Sequence, residues 1–165
     1  MSDKYKLTNE TKEASGIKLF RIQALRSFGD VKAGDLGGWV EGVKNLSQDG
    51  DAWVHGDARV HGDARVLGDA WVFGNARVFG NAVVYGNAQV SDNAQIHGNA
   101  GVYGNAGVYG NAWVSGSAQV YSDAQVYGNA RVYDNALVSG YAWVSGDALV
   151  SGNAQVYGNG FGAYS

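Results

Sequence analysis

Cysteine and proline are both absent from this chain. Without cysteine there is no disulfide framework and no thiolate metal site, which points to a reducing, cytoplasmic setting. Without proline, and with 26 glycines of which those in the repeat recur at a period of six rather than three, the chain is not collagen-like. No apolar run reaches the length that spans a bilayer, and Met1-Ser2-Asp3-Lys4-Tyr5-Lys6 lacks the apolar core of a signal peptide. No membrane association is therefore expected. Threonine occurs only as Thr8 and Thr11, too few for an ordered hydroxyl array that binds ice. Histidine occurs only as His55, His61 and His97. Basic residues are scarce where they would be needed for phosphate contacts. Residues 50–165 hold four Lys/Arg against eight Asp/Glu, so a nucleic-acid groove is not expected.

What the chain does have is one phrase, Gly-Asp/Asn-Ala-x-Val-x, running from Gly50 to Gly160. Val or Ile fills every sixth position from Val54 to Val156, and Ala every sixth from Ala52 to Ala154, with no insertion. A strict short period means that each unit stacks on its neighbours. The hexad reads as a strand and a corner. Val points inward and its two neighbours point out, because strand side chains alternate. Ala points in again beside the corner, where only a small group fits. Gly and Asp/Asn form the corner, since both tolerate positive φ. Three such sides close a triangle, so residues eighteen apart stack through parallel ladders. Residues 52–159 then make six coils, a prism roughly 29 Å long at ~4.8 Å per coil.

This phrase resembles the hexapeptide repeat of left-handed parallel β-helix proteins, among them many acyltransferases and the γ-class carbonic anhydrases. The left hand is implied by that resemblance; the general crossover rule favours the right. The segment Ala33-Gly34-Asp35-Leu36-Gly37-Gly38-Trp39-Val40-Glu41, followed by Gly-Asn-Ala-x-Val units, is similar to uncharacterised hexapeptide-repeat proteins of enteric bacteria and their phages, several of them labelled as transferases. The resemblance implies the fold, and a phage or prophage origin. It says little about activity, because function lives in sites grafted on folds.

Three segments are expected: 1–49, an N-terminal hairpin cap with an imperfect first coil; 50–160, the repeat helix; 161–165, a tail. Tyr5-Lys6-Leu7-Thr8 and Ile17-Lys18-Leu19-Phe20-Arg21-Ile22 alternate, with a polar link 9–16 between them, which reads as a β-hairpin. Residues 23–28 continue its second strand or turn. Leu36, Val40 and Leu46 fall near the repeat phase and mark the imperfect coil. At the other end Gly160 replaces Ala and Gly162 replaces Val. An uncovered β end is a template for pairing, so Phe161 and Tyr164 either fold across it or meet a second copy.

The register sorts the outward residues into three faces. On the third, Leu67, Tyr85, Tyr103 and Tyr121 form a ladder, with Gly101 leaving room beside it. Trp53, Trp71, Phe73, Tyr109 and Tyr127 stand on the first. Stacked rings stabilise parallel strands by themselves, and aromatic stripes of this extent also suit an interface. These nine residues are the candidate binding surface.

Chemistry is mostly declined. His61 and His97 are two coils apart on one face, so one chain does not bring both to one zinc, and the neighbouring histidine of the γ-class anhydrases is replaced by Val102 and Tyr103. The corner Asp residues are mostly separated by Asn, which suits amide ladders better than calcium. Acyltransferases of this fold interrupt their coils with a loop and use a histidine base; residues 50–160 have no loop. No catalytic residue, metal or cofactor is expected. The reading is a non-catalytic scaffold that binds another protein or itself as a homo-oligomer, as a virion or assembly component. The alternatives are a phage inhibitor of a host defence protein and an acyltransferase-like enzyme with an intersubunit site.

Overall fold

The computed structural model describes residues 3–164, with side chains described through Gly158. The chain is all-β, a parallel β-solenoid of about seven turns; one 3-10 turn, Val43–Asn45, is its only helical element among the described residues. From Trp53 to Val132 each hexad contributes a two-residue strand; the hexads from Leu137 merge into the longer strand Leu137–Val144, and the last strand is Gln155–Tyr164. Strands eighteen residues apart pair in parallel, as in Trp53↔Trp71 and Val54↔Val72. The expected three columns are all present: 53-71-89-107-125-143, 59-77-95-113-131-149 and 65-83-101-119-137-155.

The inward assignment holds. Ala52 through Ala142 and Val54 through Val150, Ile96 included, are buried and form one continuous cluster. Valine suits this place because its branched side chain packs well on a pleated surface and loses little freedom there. Alanine leaves space for the chain to turn. Backbone groups are satisfied coil to coil: Trp53 N–H donates to the Ala70 carbonyl at 3.0 Å, and the same step repeats down to Leu137 and Ala154 at 2.9 Å.

The corner divides its labour more sharply than expected. Only the glycine slot is left-handed, as at Gly98 (φ 67°), where an added Cβ would lie 2.9 Å from the Gly116 backbone. The following Asp/Asn slot is not left-handed and instead hydrogen-bonds along the column. Asn93 donates to Asn111 at 3.2 Å, Asn111 to Asn129 at 3.2 Å, and Asn129 to Asp147 at 3.0 Å. Where Asp replaces glycine, at Asp92 and Asp134, its carboxylate accepts the N–H of the next corner glycine, Gly110 or Gly152, each at 3.0 Å. That bond offsets part of the left-handed cost.

The hairpin is present but longer than its sequence suggests. Strand β1 (Tyr5–Ala14) pairs antiparallel with β2 (Ile17–Ala24), and the segment taken as a polar link is strand up to Ala14. The turn is Ser15-Gly16 alone, with both φ positive (53° and 78°), the two-residue geometry that matches strand twist. Alternation was lost to view because Thr8, Asn9 and Glu10 bulge opposite Arg21; Arg21 ion-pairs Glu10 at 3.2 Å. β2 then pairs antiparallel with β3 (Leu36–Val40), and β3 pairs in parallel with Arg59–Val60. The hairpin therefore extends the second face upward as one nine-stranded sheet.

Val40 and Leu46 do join the imperfect coil, stacking on Val60 and Val66. Leu36 does not: it is exposed, because β3 approaches the coil from outside and enters it only at Gly37. Side chains close the top. Lys4 is buried, and its Nζ donates to the carbonyls of Ala52 at 2.7 Å and Gly50 at 3.3 Å. Tyr5 Oη donates to Leu46 O at 2.7 Å, and Asn45 Nδ2 to Ala64 O at 2.9 Å.

At the other end Gln155–Tyr164 pairs in parallel with Leu137–Val144, in register through Gly140↔Gly158. Beyond that the register shifts by two, so Gly162 stands opposite Ala142 and Tyr164 opposite Val144, not the Ala and Val replacements that the period implies. Gly158 permits this, since a Cβ there would sit 2.7 Å from the Ala142 nitrogen. The side chains of Phe161 and Tyr164, the expected self-association end, lie outside the described residues.

Candidate functional site

The third-face ladder forms as a stack. Tyr85 and Tyr103 have ring centroids 4.7 Å apart at 7°, and Tyr103 and Tyr121 5.0 Å apart at 4°. Both faces of the Tyr103 ring are thus covered by its own chain, which leaves edges and hydroxyls to the outside. Burial, then the neighbouring phenols Tyr85 and Tyr121, raise the Tyr103 pKa above the usual phenol value. On the first face Tyr109 and Tyr127 stack at 5.0 Å and 3°. Leu67 is half-buried at the head of its column. The room beside Gly101 is taken: the Gln119 side chain folds into the space that a Cβ would need, and Gln125 does the same at Gly107.

Trp53 is not on the surface. It is 1 % exposed, edge-on to Tyr5 (6.3 Å) and Phe28 (5.3 Å), under the cap. The cause is the hairpin and the turn bridged by Phe28 and Val31, which cover the first coil. One coil lower the cap ends, and its rim makes a concavity that the sequence does not announce. A groove of about 540 Å³ runs along the first face. The corner column Asp51, Asp69, Asn87 lines one side, His55 and Phe73 another, Trp71 and Gln89 lie between, and Gly29 and Asp30 of the cap overhang it.

His61 and His97 sandwich Phe79, at 5.2 and 4.9 Å and 8° in both pairs. Burial lowers both imidazole pKa values, so the neutral rings are favoured in the stack. Phe79 separates them as the coil spacing requires. His55 sits apart, in the groove.

The most exposed of the large apolar side chains on the solenoid lie elsewhere, around the last coils: Tyr141 at 54 %, Trp143 at 48 %, Leu149 at 58 % and Tyr157 at 71 %. None of them was singled out from the sequence, yet a signal existed. The residue eighteen before each is polar: Asp123, Gln125, Arg131 and Ser139. A ring above another ring hides its face; a ring above a polar group does not. Leu149 also borders a second hollow of about 380 Å³, shared with Trp113, Arg131 and Tyr133, in which Arg131 lies 5.0 Å from the Trp113 ring.

A family model described as the YdcK beta solenoid repeat matches residues 70–86, 106–122, 124–140, 130–146 and 142–158. Every window opens on an inward alanine: Ala70, Ala106, Ala124, Ala130 or Ala142. This is a repeat β-solenoid protein. The windows follow the hexad phase read from the ladders and leave out the cap and the first coils. No curated protein matches the chain. Among the described residues no helix is long and apolar enough to cross a membrane.

Proposed function

We propose that this β-solenoid is a non-catalytic scaffold that binds a protein partner, and that the collar of Tyr141, Trp143, Leu149 and Tyr157 is its contact surface. The carrying observation is that these four are the most exposed large apolar side chains of the solenoid, clustered around its last coils, at 48 to 71 %, whereas Tyr85 and Trp113 reach only 39 % and 38 %. Exposed aromatic anchors on a preorganised surface lose little conformational entropy on binding. The Tyr85–Tyr121 ladder then offers its edges as a flanking contact. The partner is a second copy of the chain or a different protein. The resemblance of segment 33–41 and its repeats to hexapeptide-repeat proteins of enteric bacteria and their phages supports reading that partner as a virion or assembly component, or as a host protein that the solenoid inhibits.

The test is the triple variant Trp143→Ser, Leu149→Ser, Tyr157→Ser beside the wild type. Hydrodynamic mass is measured across a concentration series, and affinity capture is run from the native host cell. The wild type self-associates or retains a defined partner, and the variant loses that interaction with an unchanged melting temperature. A wild type that stays monomeric and captures nothing that the variant does not also capture overturns the reading.

A further inference from the structure

The groove beneath the cap is a second site, independent of the collar. Its place in the fold is specific. In the column Trp53-Trp71-Gln89 the first ring is sealed under the cap, and the second emerges where the cap stops, beneath Gly29 and Asp30. The groove is thus walled on one side by the coil corners and bordered by Gly29 and Asp30 of the cap, with a partly buried indole and phenyl, Trp71 and Phe73, among its lining.

The polar lining narrows the ligand. Asn87 donates one side-chain N–H to Asn105 at 3.2 Å, and among the described residues no group donates to its carbonyl oxygen. Asp69 accepts the Asp51 backbone N–H at 3.0 Å with one oxygen and keeps the other. Among the described residues no lysine or arginine lines the groove. The buried Lys4 is turned inward to the Ala52 and Gly50 carbonyls. An anion is therefore disfavoured. A purely apolar guest would strand these acceptors without partners, at a cost. A ligand with one apolar face and an edge rich in O–H or N–H donors satisfies both halves of the lining. We propose that the groove binds one hexopyranose ring, neutral or amino-substituted, with its C–H face against Trp71 and Phe73 and its hydroxyls on the 51-69-87 column and Gln89. An open groove holding one ring binds weakly, with a dissociation constant on the order of 1 mM.

The test uses the full chain with mannose, galactose, N-acetylglucosamine and glucosamine as probes, each up to ~50 mM given that weak affinity, read by ligand-observed saturation-transfer NMR. At least one probe binds the wild type. Trp71→Ala and Asp69→Asn each weaken that binding tenfold or more, while Trp143→Ala, on the collar, leaves it unchanged. Asp69→Asn preserves the acceptor for the Asp51 N–H, so it answers the question even if Trp71→Ala melts early. Free arginine is run alongside. Binding of arginine without any of the four sugars overturns the proposal in favour of a cation site. Absence of sugar binding, or binding indifferent to both groove substitutions, overturns it outright. Each of those failures leaves the collar reading standing, because the collar variant is scored separately.

Discussion

Trp53 and Trp71 are paired residue for residue in adjacent coils of one column, yet the first is sealed beneath the cap and the second opens onto a groove. The difference comes wholly from residues outside the repeat. Tyr5 and Phe28 reach across the top of the column and stop there. Two hexads that differ only at their last residue, His55 against Phe73, thus give a fully buried tryptophan in one coil and a groove-lining one in the next.

Val108 is fully buried at mid-column, stacked between Val90 and Val126. Val108→Asp places an unpaired carboxylate among valines, with no polar group within the all-apolar interior to receive it. A loss of about 4 kcal/mol or more is expected. Far-ultraviolet circular dichroism and thermal melting check it. A variant that keeps the wild-type signal and midpoint would mean that Val108 does not point inward.

Two corner glycines separate the cost of conformation from that of crowding. Gly152 is left-handed (φ 62°) with nothing within 4 Å of an added Cβ, whereas Gly98 (φ 67°) has the Gly116 backbone 2.9 Å away. Gly152→Ala therefore loses about 1 kcal/mol, the left-handed penalty alone. Gly98→Ala loses clearly more, since backbone rather than a flexible side chain must give way. Equal shifts in denaturant midpoint for the two would show that the coils relax freely.

The amide ladder predicts a salt effect. Asn111→Asp with Asn129→Asp sets three carboxylates in adjacent coils at 111, 129 and 147, and removes the Asn111 and Asn129 N–H donors. Like charges directly opposite one another destabilise a sheet. Because this column is exposed, part of the loss returns on raising the salt concentration, as screening demands. Melting temperatures at low and high salt measure it, and the wild type shows no comparable recovery.

Lys4 gives a pH dependence with a defined sign. Burial, followed by the neighbouring Arg26 charge, pushes its pKa down to about 8 from 10.5. Between these two values the unfolded chain binds more protons than the folded one, so this residue makes stability rise with pH across that window. Below pH ~8 the full cost of the buried charge is present. Lys4→Met removes this rise. The difference in melting temperature between wild type and variant, followed from pH 7 to 10.5, tests it; a constant difference would place the ammonium in solvent.

The solenoid was legible because its core is written in place: Ala and Val recur at six, and each lies where strand alternation puts it. The amide corners were legible for the same reason. Trp53 was misplaced because local phase cannot report a cap whose Tyr5 and Phe28, far upstream in the chain, fold back over it. Leu36 shares the repeat's composition but sits on a strand entering from outside, paired to Gln23. The hairpin's length was hidden by the bulge at Thr8, Asn9 and Glu10, which breaks alternation without breaking the strand. The collar was readable in principle from vertical neighbours: Leu149 follows Arg131 and Tyr157 follows Ser139, so no ring covers them. The groove was not readable, because half of its definition, Gly29 and Asp30, comes from a segment with no period.

The coil-to-coil ladders repeat every eighteen residues without change from Trp53 to Gln155, while the hairpin meets only the first turns. Inserting or deleting one such block in the middle rejoins identical surfaces, and in such an array each unit interacts only with the next. The molecule is therefore a ruler whose length can drift over evolution by whole increments. The spacing between its cap groove and its distal collar is set by copy number alone, and any partner that bridges the two would read that number.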